Sequence, residues 1–261
     1  MLPLKDYNPT SRRAWITLGI IAVNVFVYFA VQPHGQGTLD PQSQGSEAIR
    51  EAEFTFAHAA IPYEVVHDKP LTREQVCDAQ SGGDPRCLAI PAPDRALFPH
   101  KNVLLAVLYS MFLHGSLLHI GGNMLFLWIF GNNIEDRMGW IGYPIFYVAS
   151  GIVAAAAQIA SQPSSTVPVV GASGAIAGVM GAYLVLFPRV RIRTLFIFFI
   201  ILIRDIPAVW LLAFWFVLQF FTSPSEGVAW VAHVGGFLFG ALVAFFLRER
   251  LRPSRVPEPA Y

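Results

Sequence analysis

Charge is scarce in this chain. Only 13% of its 261 residues are Asp, Glu, Lys or Arg, against roughly 25% in soluble domains. Between Arg137 and Arg189 there is no charged residue at all. That shortage excludes an ordinary soluble domain and marks a polytopic membrane protein. Cysteine is nearly absent too. Cys77 and Cys87 are the only two and have no CxxC spacing, which speaks against a metal site. They lie ten residues apart in one loop, where an oxidising compartment permits a disulfide. Nothing in the sequence suggests a metal, nucleotide or organic cofactor, or a nucleic-acid partner.

Apolar runs make up for the missing charge, since spanning the hydrocarbon takes about 20 apolar residues. Six candidate spans are Ala14–Val31, Leu117–Asn133, Trp140–Ala160, Gly171–Phe187, Ile206–Phe221 and Val228–Leu247. The first has no small-x-small cleavage site after it and reads as an anchor, not a signal peptide. Leu195–Ile203 is apolar but short, and is expected at the interface or as an oblique extension of the fifth span. The fold class expected is all-α, a six-helix membrane bundle. Its parts are a cytoplasmic N-terminus (1–13), a first transmembrane helix (14–31), a long extracytoplasmic loop (32–116), a five-helix core (117–247) and a cytoplasmic tail (248–261).

Lys and Arg set the orientation. With the N-terminus inside, Lys5, Arg12, Arg13, Arg137, Arg189, Arg191, Arg193, Arg204 and the C-terminal arginines all fall on the cytoplasmic side. The short outer loops Ser161–Val170 and Thr222–Gly227 hold no basic residue. Within the polar outer segment, part, around Ser46–Ala59, is expected to be helical. Both short termini suggest no domain and no regulatory partner.

Three polar clusters then stand out at membrane depth: His114-Gly-Ser-Leu-Leu-His119-Ile-Gly-Gly-Asn123, Gly171-Ala-Ser173-Gly174-Ala-Ile-Ala-Gly178, and Ala232-His233-Val-Gly235-Gly236-Phe-Leu-Phe-Gly240. An ionisable group inside a membrane is expensive and reads as functional. On this topology all three clusters share one level below the outer surface. His119 and Asn123 are four apart and face the same way. Gly174 with Gly178, and Gly236 with Gly240, are small-xxx-small pairs that let backbones approach. Packing through them brings His233 towards Ser173, a base beside a weak nucleophile. No carboxylate is available at that depth, so a Ser–His dyad is read, not a triad. Asn123, helped by His119, is placed to donate to a developing oxyanion. Singly, Ser173 also reads as a helix cap, His233 as a buried structural histidine, Asn123 as interhelical glue, and His114 as structural or interfacial.

In order and spacing these three motifs resemble the rhomboid family of intramembrane serine proteases. The resemblance covers nearly all of Ala14–Leu251. It implies Ser173 as nucleophile and His233 as general base, with Asn123, His119 and the Ser173 N–H as oxyanion hole. It further implies transmembrane protein substrates entering laterally from the bilayer, past span five and the Thr222–Gly227 loop. A bacterial-type plasma (inner) membrane is the expected location. Two departures bear on activity. Leu105-Ala106 stand where many members have Trp-Arg, and Ala177 stands where some have an aromatic under the histidine. The rival readings are a weak or inactive relative that binds membrane proteins, and a transporter. Against the transporter, the spans show no internal repeat and no paired broken helices. Oligomeric state is not specified.

Overall fold

A helix with no polar face has to be surrounded. α7 (Ser173–Leu186) is such a helix: every residue from Gly174 to Tyr183 is buried, so it takes the centre of the bundle. A computed structural model of the chain describes residues 1–33, 41–81, 94–197, 201–221 and 229–251. It is mostly helical.

α9 (Trp230–Leu251) lies directly against α7. A Cβ on Gly236 would run into the carbonyl of Gly174, and one on Gly240 into the carbonyl of Gly178. On its other side α7 meets α6 (Leu117–Ser161), where Cβ atoms on Gly174 and Gly178 would stand 2.6 Å and 2.5 Å from the Cβ atoms of Ala154 and Ser150. Three backbones thus meet at distances that only glycine permits.

α6 is interrupted at Gly139, whose φ of 75° and ψ of 176° are non-helical. An L side chain rarely adopts that φ, so glycine lets the chain turn between two helical arms. α6 and α9 are long and apolar enough to cross a membrane; α1 (Trp15–Phe26) with its π-turn (Val27–Val31), α7 and α8 (Ala208–Gln219) are shorter apolar helices. Large apolar side chains stand in the open on these elements, including Trp128, Trp210 and Phe246, the last 76% exposed. Water would penalise such a surface, and lipid would not.

In the apolar stretch 195–203 the described residues, 195–197 and 201–203, are strand and not helix. They lie on β2 (Arg191–Ile197) and β3 (Ile201–Pro207), which pair antiparallel, and β1 (Leu2–Asp6) adds to β2, giving a three-stranded antiparallel sheet in the order β1-β2-β3. The all-α expectation is corrected to that extent. Alternation explains it: Ile192 and Thr194 are buried while Arg191 and Arg193 are exposed, the period of two that a strand requires. Arg193 pairs with Asp205 in register and donates from Nε to its carboxylate at 3.1 Å. That neighbour holds the Asp205 carboxyl below its usual range.

β1 and α1 are tied to the core by polar contacts. Asp6 accepts from Asn133 Nδ2 at 2.5 Å and from the Tyr183 hydroxyl at 3.2 Å. α1 has no side-chain cap of its own. Glu135 of α6 supplies one, accepting from the N–H groups of Ile16 and Thr17 at 2.9 and 2.7 Å and from the Thr17 hydroxyl at 2.7 Å. A carboxylate at a helix N-terminus satisfies orphan donors and the dipole together.

The long polar segment forms a helical unit of α2 (Pro41–His58), α3 (Pro62–His67) and α4 (Arg73–Ser81), built around buried Phe56, Ile61, Leu71 and Val76. A buried ion pair, Lys101 Nζ to Glu64 Oε2 at 2.5 Å, locks it. Glu64 Oε1 also accepts from the Leu71 N–H and Lys101 donates to the Phe56 carbonyl, so neither charge is left uncompensated. Burial still lowers the Lys101 pKa from its ordinary value. This unit is stitched to the segment that precedes α7: Val169 N–H donates to Ala60 O at 2.8 Å and Tyr63 N–H to Ser165 O at 3.0 Å. Buried Cys77 lies on α4, and Cys87 falls outside the described residues.

Candidate active site

The site is assembled at one end of α7, some 20 Å along the helix from the sheet by the usual rise per residue. Ser173 is the first residue of α7, and the preceding Ala172 makes no side-chain cap. Its hydroxyl is engaged elsewhere. Ser173 Oγ lies 2.8 Å from Nε2 of His233, a turn inside α9. The glycine contacts between α7 and α9 set that distance, because both side chains leave helices whose backbones touch.

A cavity of about 790 Å³ opens on the pair and is lined in part by His119, Asn123, Gln158 and Trp215. Asn123, one turn after His119 on α6, is buried, and its Nδ2 has no protein partner among the described residues. A buried unpaired donor is rare enough to call for an explanation. His119 is held at the start of α6, where Ser116 Oγ accepts from its N–H at 3.1 Å. The Gly115 N–H points at His119 Nδ1 from 3.5 Å. A backbone N–H can only donate, so in the neutral ring Nε2 carries the proton. That Nε2 sits over Gly171: a Cβ there would lie 2.8 Å from it and 3.6 Å from Ser173 Oγ. Gly171 also has a φ of 122°, so space and backbone conformation both call for glycine. Its N–H is anchored on the Ser110 carbonyl at 2.9 Å.

His114 is fully buried beside His119, with ring centroids 5.1 Å apart and, among the described residues, no partner for either ring nitrogen. Gln32 clamps its backbone from both sides. It does not line the cavity.

Three residues at this site were not singled out in the sequence. Gln158 Oε1 accepts from the Ala232 N–H at 3.3 Å. Trp215, on α8, brings its ring to 5.7 Å from that of His233, on a histidine that Ala177 leaves without an aromatic neighbour from α7. Gln219, at the end of α8, places Oε1 2.7 Å from His233 Nδ1. The only advance signal for the two glutamines is that each is an isolated polar residue in an uncharged span. Of the departures in α5 (Leu105–Ser110), Leu105 is exposed and Ala106 buried, both outside the cavity. The Thr222–Gly227 loop lies outside the described residues. Among the described residues no three metal-ligating side chains gather.

Fold and site together define a helical membrane protein in which a serine hydroxyl meets a histidine at the wall of a largely apolar cavity. The model of the Rhomboid domain matches residues 101–250, and the chain belongs to the rhomboid family. Among its relatives, Rhomboid protein 1, mitochondrial, of Saccharomyces cerevisiae is 28% identical over 58% of this chain and 44% of its own length. RHOMBOID-like protein 5 of Arabidopsis thaliana is 30% identical over 58% of this chain and 48% of its own length. RHOMBOID-like protein 6, mitochondrial, of the same plant is 24% identical over 93% and 72% respectively. The chain spans about half the length of the first two.

Proposed function

We propose that the protein is an intramembrane serine endopeptidase that cleaves membrane proteins in or near their transmembrane segments. The observation that carries this reading is the 2.8 Å contact between Ser173 Oγ and His233 Nε2, in a cavity that also presents a buried, unpaired Asn123 amide. Nε2 takes the hydroxyl proton as Oγ attacks a peptide carbonyl. Asn123 Nδ2, His119 Nε2–H and the Ser173 N–H, which as the first of α7 has no acceptor within the helix, take the developing oxyanion. The imidazolium returns its proton to the leaving amine, and water then repeats the sequence on the acyl-enzyme.

The proposed topology has six spans, the two arms of α6 counting separately, with both termini and the sheet on the side rich in arginine. The substrates are transmembrane proteins reaching the cavity from the bilayer past α8. Two of the three relatives above are named as mitochondrial, so they do not support the plasma membrane; the proposal is confined to a membrane.

The test is cleavage of a panel of transmembrane model substrates in liposomes. Wild type should cleave, Ser173→Ala should not, and His233→Ala should lose most of the rate. A fluorophosphonate should label Ser173 in the folded protein and not after denaturation. A wild type that cleaves none of the panel counts against a protease; a Ser173→Ala variant that cleaves normally removes Ser173 as nucleophile.

A further inference from the structure

The hydrogen-bond chain at His233 runs on beyond the dyad, and its direction is fixed by its far end. Gln219 Nε2 lies 3.0 Å from the backbone carbonyl of Trp215. A carbonyl only accepts, so the amide is oriented with its NH2 group on Trp215 and its oxygen on His233. An amide oxygen likewise only accepts. His233 Nδ1, 2.7 Å away, must therefore carry a proton. In a neutral ring Nε2 is then bare, and it is Nε2 that faces Ser173 Oγ at 2.8 Å. The two contacts of Gln219 each permit one polarity, and in a neutral ring they leave Nε2 as the acceptor a general base must have, with the Ser173 hydroxyl as its donor.

We propose that Gln219 is a positioning residue for the Ser173–His233 pair: it selects the Nδ1–H tautomer of His233 and turns its bare nitrogen to the serine. It occupies the place of the carboxylate of a triad with a neutral group, which suits an apolar site. An ionised carboxylate there would need a desolvated charge to be carried through every state of the reaction. A neutral amide orients the ring without that penalty, and favours the imidazolium through its dipole alone. Gln219 is buried and touches no atom that reacts. Trp215, one turn earlier on the same helix, both receives the amide and lies near the imidazole, so α8 supplies the ring with a neighbour and a direction.

The groups around His233 from each packed element are Ser173 on α7, Gln158 through the Ala232 backbone on α6, Trp215 and Gln219 on α8, and His119 across the cavity on α6. Apart from the serine, His119 is the one of these that titrates. A change in the pH profile on altering Gln219 is thus read against a constant His119.

The proposal rests on the Ser–His reading above, and its test separates the two. In liposomes, Gln219→Met, similar in length but without the acceptor, should lower kcat roughly 10- to 100-fold, the range seen when a partner orienting a metal-bound histidine is lost. KM and melting temperature should stay close to wild type. Gln219→Glu keeps the acceptor; it should recover most of the lost kcat and move the acid limb of the profile to higher pH, since a carboxylate favours the imidazolium. A Met variant with wild-type kcat overturns the proposal, as does a Glu variant as slow as Met with an unmoved acid limb. The nitrogen spectrum of 15N-histidine-labelled full chain, with His233→Gln as the subtraction, reads the tautomer directly. It should show a proton on Nδ1 of His233 and none on Nε2 in wild type, and a mixture in Gln219→Met. An Nε2–H tautomer in wild type overturns the proposal whether or not any substrate is cleaved. A wild type without cleavage counts against the protease reading, and the spectrum then decides the role of Gln219 alone.

Discussion

Asn123 holds a buried NH2 group that bonds to nothing in the protein among the described residues, a state that costs about 1–3 kcal/mol. An oxyanion donor earns that penalty back only when a negative oxygen arrives. Asn123→Ala should therefore lower kcat by about 10²–10³, the usual effect of losing one such donor, while leaving the melting temperature unchanged or slightly raised. Single-turnover cleavage and a thermal melt of the same sample check both halves; a clear loss of melting temperature would make Asn123 a packing residue instead. At this scale the ionisable and catalytic-type side chains were legible because they are conspicuous in apolar sequence. Gln219 and Gln158 were not, because an amide in a span reads as neutral glue until its partner is known. Their partners are 14 and 74 residues away in the chain, and no local pattern encodes that.

Among the elements, the α7–α9 contact decides whether the site exists, since Ser173 stands on one helix and His233 on the other. Gly240→Ala drives a Cβ into the Gly178 carbonyl, and backbone cannot move aside as a side chain can. Overpacking of this kind costs about 1–3 kcal/mol or more; the variant should melt lower and lose activity together, by spreading the serine from the histidine. Gly19→Ala is the control. It lies inside α1 with open space where a Cβ would go, and should stabilise by about 0.5–1 kcal/mol. Paired melts of the two variants test the claim, and equal shifts would undo it. The small-xxx-small spacing made these faces visible in the sequence. The pairing of β2 with β3 is hidden for the opposite reason: hydropathy over residues 195–203 is uniform, and the alternation of Arg191, Ile192, Arg193 and Thr194 just before them carries the strand signal. The break in α6 turns on Gly139 alone, one glycine among 21, and among the described glycines only Gly171 shares its positive φ.

Across the whole molecule the two ends are held by different chemistry. At the cavity end the α2–α4 unit is bonded backbone to backbone with the segment that leads into Ser173, and its Pro62 lines the cavity. The other end depends on carboxylates: Glu135 caps α1, and Asp6 ties β1 to α6 and α7. Burial pushes the Asp6 carboxyl above its ordinary pKa, despite hydrogen bonds from Asn133 and Tyr183 that act the other way. The folded chain then binds that proton more tightly than the unfolded chain does. The stability linked to Asp6 is accordingly present at low pH and lost as pH rises through the raised value. Asp6→Asn removes the buried charge while its Oδ1 still accepts from both donors. The variant should melt above wild type at neutral pH, and the gap should close as pH falls into the carboxylate range, where wild-type Asp6 becomes neutral as well. Reading the difference between the two proteins cancels every other titrating group. A gap of the opposite sign at neutral pH would mean that the charge-assisted bonds to Asn133 and Tyr183 outweigh desolvation, and that β1 is held on by its aspartate rather than in spite of it.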